Sequence, residues 1–128
     1  MKQNTIVIFG ESKGGDFQKP LLFNTLPELS QALGEPTQNS SGIHLAVQAL
    51  LLNQRVLYYK VSEEGFNPDQ YLLGFKLIEK YPPEKSISAA LLPGVSSSEI
   101  LTLAKEFSAH TGLLLLFTEK DLYDLLTQ

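Results

Sequence analysis

The chain has 128 residues, 43% hydrophobic and 19% charged, with a formal net charge of −4 and a pI near 5.1, the composition of one compact domain, 1–128, that buries a core unaided. The absence of cysteine excludes disulfides, thiolate nucleophiles, Fe–S clusters and Cys-ligated zinc. Ten Lys and Arg spread along an acidic chain argue against a clustered basic face, so no nucleic-acid partner is expected.

MKQNTIVIFG has an apolar run too short for a secretory leader, and Thr5–Phe9 reads as a first strand. It empties into a loop with Gly10, Gly14 and Gly15, followed by a brief extended piece at Pro20–Phe23. Thr25 N-caps a helix over Leu26–Leu33, with Pro27 and Glu28 in its first turn and Gly34 past its end. After the breaker-rich loop Glu35–Gly42, Ser40 or Ser41 caps a second helix, Ile43–Asn53, apolar nearly all round and so buried on most sides.

Arg55–Val61 has the β-branched and aromatic residues of a strand, and Ser62–Asn67 forms a polar loop. A helix then runs from Asn67 or Pro68 to about Lys80, with Tyr71, Leu72, Phe75, Leu77 and Ile78 inward and Pro82-Pro83 as its stop. Ser86–Leu92 is a strand ending at Pro93-Gly94. The serines 96–98 cap a helix over Glu99–Thr111 that turns Ile100, Leu103, Ala104 and Phe107 inward and ends at Gly112. Leu113–Phe117, continuously apolar, is a run of the sort found at the middle of a parallel sheet, and Glu119–Leu126 closes the chain as a helix. The alternation predicts an α/β fold in three layers: a mainly parallel sheet of four to five strands with helices on both faces. The most apolar segments, Leu45–Leu52 and Leu113–Phe117, fall well short of the roughly 20 residues of a membrane span, so no membrane partner is expected.

The glycine loop fails as a phosphate cradle. Gly10 and Gly15 have the P-loop spacing, but Asp16 and Phe17 stand where Lys and Ser/Thr must reach phosphate and magnesium. The intervals of Gly10, Gly14 and Gly15 also miss the dinucleotide pattern, which leaves a turn. In PGVSSSEI, Gly94 and Ser96 match part of a nucleophile elbow, but Ser98 replaces its second glycine and helix capping accounts for the serines. His44 and His110 open and close helices with no partner at metal-ligand spacing. Asp16, Glu63, Glu64 and Asp69 lie in loops beyond strand ends, where α/β enzymes keep active sites and where solvated charges are also common. Gly10-Glu11-Ser12 and Lys60-Val61-Ser62 stand where a response-regulator receiver needs its acids. No residue is put forward as catalytic, cofactor-binding or metal-binding.

Taken in order, IVIFGESKGGDFQKPLLFNTLPELSQALGEP resembles the opening of the α/β domain of contractile phage tail sheath proteins, with Gly10, Lys13, Gly14, Lys19, Pro20, Leu29, Leu33 and Gly34 in the family's positions. LAVQALLLNQRVLYYKV is similar to the family's next helix and strand through Ala46, Val47, Asn53, Tyr58 and Val61. It departs from them at Gln54 and Arg55, which replace glycines, and at Lys60, where Arg is usual. ISAALLPGVSSSEILTLAKEFSAHTGLLLLF is similar to the family's strand, Pro-Gly, capped helix and apolar strand.

The resemblance implies a structural protein with no enzymatic step and no cofactor. Such a protein associates with copies of itself or with other tail proteins, in host cytoplasm during assembly and then in a virion or tail-like particle. The family's long terminal arms and further C-terminal domain have no counterpart in these 128 residues. That points to a reduced sheath-like protein, an accessory tail component, or one domain of a longer chain. The rival expectation is a small flavodoxin-like enzyme or ligand-binding module that uses the loops near Gly10, Ser62 and Gly94. A third is an adaptor domain with one heterologous partner.

Overall fold

β-branched and aromatic residues at Thr5–Gly10 form β1, which is buried along its whole length. The computed structural model describes residues 4–37, 40–80 and 87–127. After β1 come β2 (Leu21–Phe23), α1 (Leu26–Leu33), α2 (Gly42–Leu51), β3 (Arg55–Lys60), α3 (Pro68–Glu79), β4 (Ile87–Leu91), α4 (Ser98–Thr111), β5 (Leu114–Leu116) and α5 (Glu119–Leu126).

The sheet order is β2-β3-β1-β4-β5. β1 lies between two parallel neighbours, in register from Thr5 opposite Arg55 to Gly10 opposite Lys60 on one side, and from Ile6 opposite Ala89 to Ile8 opposite Leu91 on the other. β5 continues the parallel run and β2 adds an antiparallel edge. The period-2 alternation of β1 divides the core. Ile6 and Ile8 pack with Leu29 and Leu33 of α1, Ile43, Ala46 and Ala49 of α2, and Leu122 and Leu126 of α5. Val7 and Phe9 pack with Tyr71, Phe75 and Ile78 of α3 and with Ile100, Ala104 and Phe107 of α4. The fold is therefore α/β, a mostly parallel five-stranded sheet with helices on both faces, as the alternation predicts.

Helix ends follow local chemistry. Thr25 and Thr118 cap α1 and α5, each answered by the third helical residue, Glu28 or Asp121. Ser97 caps α4 by accepting the Ile100 N–H. Ser41 precedes α2, but its side chain makes no capping bond. α2 begins at Gly42 and ends at Leu51, shorter than the apolar run suggests, because Asn53 turns to φ 63° and leads into β3. In α3 the buried stripe is Tyr71, Gly74, Phe75 and Ile78, whereas Leu72 lies at the surface. The Pro82-Pro83 stop and Ser86 lie outside the described residues.

One element differs from expectation. The leucine run at Leu113–Phe117 sits at the edge of the sheet, with only Leu116 buried and Leu114 51% exposed. Its outer flank has no strand among the described residues. β1, with β-branched residues and a terminal glycine, takes the centre because its own connection leads to β3 on one side and the β3–α3–β4 crossover passes over it to the other.

Between β1 and α3 sits an aromatic cluster. Phe9 meets Tyr59, Tyr71 and Phe75 at ring-centre distances of 5.0, 5.4 and 5.1 Å, and Phe75 stacks on Phe107 at 4.6 Å. Gly74 gives these rings room, since a Cβ there would come 2.5 Å from Phe9 and 2.8 Å from Tyr59. Gly74→Ala is thus expected to destabilise by about 1–3 kcal/mol through overpacking, against the roughly 1 kcal/mol that alanine gains in an ordinary helix. Urea denaturation checks the sign, and a stabilised variant would contradict the packing described.

The Asp121 carboxyl is held below the usual carboxylate range, first by the Phe117 N–H and then by bonds to Thr118. A lowered folded pKa means a contribution fully present above the unfolded value and lost as pH falls through the folded one. Asp121→Asn should therefore cost stability at neutral pH, with the gap from wild type closing in acid. Melting temperatures across that range test it.

Candidate functional site

In doubly wound sheets the crevice for ligands opens beyond the carboxyl ends of the strands, where crossovers leave a central strand in opposite directions. Here that strand is β1, with β3 on one side and β4 on the other. The loops after β1, β3 and β4 and the start of α2 meet there, which brings together the segments around Gly10, Ser62 and Gly94 that the sequence nominates.

What occupies the meeting point is Glu64. Its carboxylate is buried and accepts three backbone N–H bonds: Oε1 from Ser41 at 2.8 Å, Oε2 from Gly42 at 2.9 Å and from Glu11 at 2.9 Å. The first turn of a helix has N–H groups without intrahelical acceptors, and its dipole favours negative charge. Glu64 supplies that charge from within the chain, which is why Ser41 needs no side-chain cap. Glu11 returns the bond, its Oε2 accepting the Glu64 N–H at 2.9 Å.

Two tyrosines brace the arrangement. The Tyr58 hydroxyl donates to the Glu11 carbonyl at 2.7 Å, and the Tyr71 hydroxyl accepts the Gly65 N–H at 2.9 Å. Burial, reinforced by the charges of Glu64 and Glu11, holds the Tyr58 phenol far above its ordinary value. Burial likewise pushes Tyr71 up to about 12, although the Gly65 bond pulls the other way. Both stay neutral at physiological pH.

Glycines permit the close approach. The Gly10 and Gly42 backbones pass each other beneath the Tyr58 hydroxyl, so near that a Cβ on either would lie 2.7 Å from the other's Cα. Gly65 seats against the Gly94 carbonyl with no room for a Cβ, and Gly94 in turn lies beside Glu64. The β3–α3 loop thus crosses the end of β1 and rests on the β4–α4 loop, covering the crevice.

The glycine loop itself folds as a turn. Gly14 N–H donates to the Leu33 carbonyl at 2.9 Å, and Ser12 Oγ donates to the Gly14 carbonyl at 2.6 Å. Lys60 Nζ reaches the Gly15 carbonyl at 3.3 Å and lies 4.7 Å from the centre of the Phe17 ring. Asp16, Glu63 and Asp69 are exposed, so the four loop acids do not converge. Ser96 is exposed and Ser97 is spent on capping. His44 stands 3.5 Å from Glu119 with both side chains more than half exposed, and His110 lies in the last turn of α4. No group of three potential metal ligands occurs among the described residues.

Sequence reasoning flagged Glu64 only as one loop acid among four. Its partners lie 22 to 53 positions away, and no local spacing encodes them. The paired demand for glycine at 10 and 42 was the available signal.

Comparison of the chain with protein-family models, curated proteins and solved structures finds no match. Among the described residues no helix is long and apolar enough to cross a membrane.

Glu64→Ala strands three N–H groups and should cost about 3 kcal/mol or more, while Glu64→Gln, which keeps one acceptor oxygen, should lose less. Chemical denaturation reads both. Faster amide exchange at Glu11 and Gly42 should accompany the loss, and an unchanged exchange pattern in Glu64→Ala would mean that the carboxylate does not tie these loops.

Proposed function

We propose that the chain is a non-enzymatic structural protein that self-associates, as a building block of a phage tail sheath or a related contractile tail-like assembly. The observation that carries the non-enzymatic half is the occupied crevice. The place where this strand order takes ligands is filled by Glu64, with its N–H donors already bonded and the β3–α3 loop laid over it. The half that concerns assembly rests on the resemblance of the three quoted stretches. Its partners would be copies of itself or other tail proteins, and its destination a virion or tail-like particle.

One observation favours the rival, a flavodoxin-like ligand-binding module. Beside the glycine loop lies a depression of about 230 Å³ lined by Phe17, Gln18, Tyr59, Lys60, Asn67 and Asp69, among others. Gln18 and Asn67, two of its walls, hold φ of 60° without being glycine.

Light scattering with electron microscopy from micromolar to millimolar protein tests the assembly reading, which expects rings, tubes or a reversible climb in mass. A thermal-shift screen of nucleotides, flavins and divalent metals tests the rival. A ligand at 100 times its dissociation constant would add about 2.7 kcal/mol. A strict monomer that a nucleotide or flavin stabilises by that amount would replace the first reading with the second.

A further inference from the structure

The two edges of the sheet are unlike. β2 is entered through Lys19 and Pro20, residues that discourage a further strand, and it runs antiparallel to its neighbour. β5 has no such protection. From Thr111 to Thr118 the sequence is TGLLLLFT, without a charge or a proline, and Leu114 stands half exposed on it.

The backbone of β5 narrows what fits there. The Leu116 carbonyl accepts the Leu92 N–H at 2.8 Å, so Leu116 faces the β4 side. Backbone groups alternate in direction along a strand, which turns Leu114 the same way and sends Leu113, Leu115 and Phe117 outward. The chain itself serves the two outer positions. Thr111 Oγ1 accepts the Leu113 N–H at 3.2 Å, Ser108 Oγ donates to the Leu113 carbonyl at 2.7 Å, and Asp121 Oδ2 accepts the Phe117 N–H at 2.9 Å. Between these caps the outward N–H and C=O of Leu115 remain turned to the open edge.

We propose that a second copy of this chain covers this edge, its β5 antiparallel to the first, with a two-fold axis at Leu115. The inference rests on the self-association proposed above and names its surface. An antiparallel pair has positions at which two opposite residues exchange both N–H···O bonds. One such exchange between Leu115 and its counterpart uses the open donor and acceptor of both copies. The same register sets exposed Leu114 against Leu116 of the second copy and Leu113 against its Phe117, apolar on apolar with no like charges opposed. A copy of β5 is uncharged and carries leucine on both faces, so the edge is complementary to itself, as an isologous contact requires. Because the β2 ends are protected, strand pairing at the sheet edge stops at two chains and yields a dimer with one continuous sheet, the unit that larger rings or tubes would be built from through other faces.

Sedimentation equilibrium and backbone amide exchange on wild type and Leu114→Lys test this. The wild type should climb reversibly to twice 14.2 kDa, with the Leu115 amide slowing as concentration rises and the Leu113 amide, already bonded within the chain, unchanged. Leu114→Lys changes a half-exposed side chain and should fold normally while dimerising about tenfold more weakly or worse. If wild type and variant associate alike and Leu115 exchange ignores concentration, this edge is not the surface and self-association proceeds through another face. If wild type stays monomeric throughout, the self-association reading falls as well. If Leu115 is protected only on adding a different protein, the second-copy assignment is overturned.

Discussion

One buried carboxylate holds the upper end of the sheet together. Glu64 binds N–H groups from two segments far apart in sequence, the loop after β1 and the start of α2, while its own backbone is held by Glu11. A charge with this little exposure is tolerated only when fully hydrogen-bonded. Its three donors come from backbone that must be there in any case. Much else follows from that placement: glycine at 10 and 42 so that the two backbones converge, a tyrosine at 58 to satisfy the Glu11 carbonyl, and glycine at 65 so that the loop lies flat against Gly94. None of these residues explains itself alone.

The same geometry bears on function. Convergent N–H groups at a helix start beyond a parallel sheet are what α/β folds offer to an incoming anion. In this chain the offer is taken up internally, which turns a recognition device into a structural tie. The tie also joins the start of α2, on one face of the sheet, to the loop that leads into α3 on the other, so the two helical layers are linked at one end through polar bonds and elsewhere through apolar packing.

How much of this was legible in the sequence depends on range. Capping at Thr25 and among the serines 96–98, where Ser97 is the cap, the stop at Gly112 and the inward stripe of Ile100, Leu103, Ala104 and Phe107 are decided within a turn or two of chain, and local chemistry predicts them. Glu64 is decided by residues up to 53 positions away, and nothing near it distinguishes it from exposed Glu63. The leucine run misled for a different reason. A continuous apolar strand reports a need for burial on both faces but not who provides it, and a neighbouring strand of the same chain is only one possible provider. Helical periodicity predicts Leu72 and Leu77 inward; Leu77 does pack against the core, but Leu72 lies at the surface, because periodicity cannot separate a stripe centred on Phe75 from one shifted by a residue. The small Gly74 beside Phe75 is what lets α3 seat on the rings of Phe9 and Tyr59.

The placement of these features assigns roles to the parts of the sheet. At the carboxyl end, the N–H groups that converge on the end of β1 are bonded to Glu64 within the chain. At the β2 edge, Lys19 and Pro20 oppose another strand. At the β5 edge, the capping side chains of Ser108, Thr111 and Asp121 satisfy backbone groups on either side of Leu115. Had the edge merely to be kept inert, a single lysine within the run would have served better than four leucines. A surface capped at both ends and left apolar between them has the form of a bounded contact, with its length set by the caps.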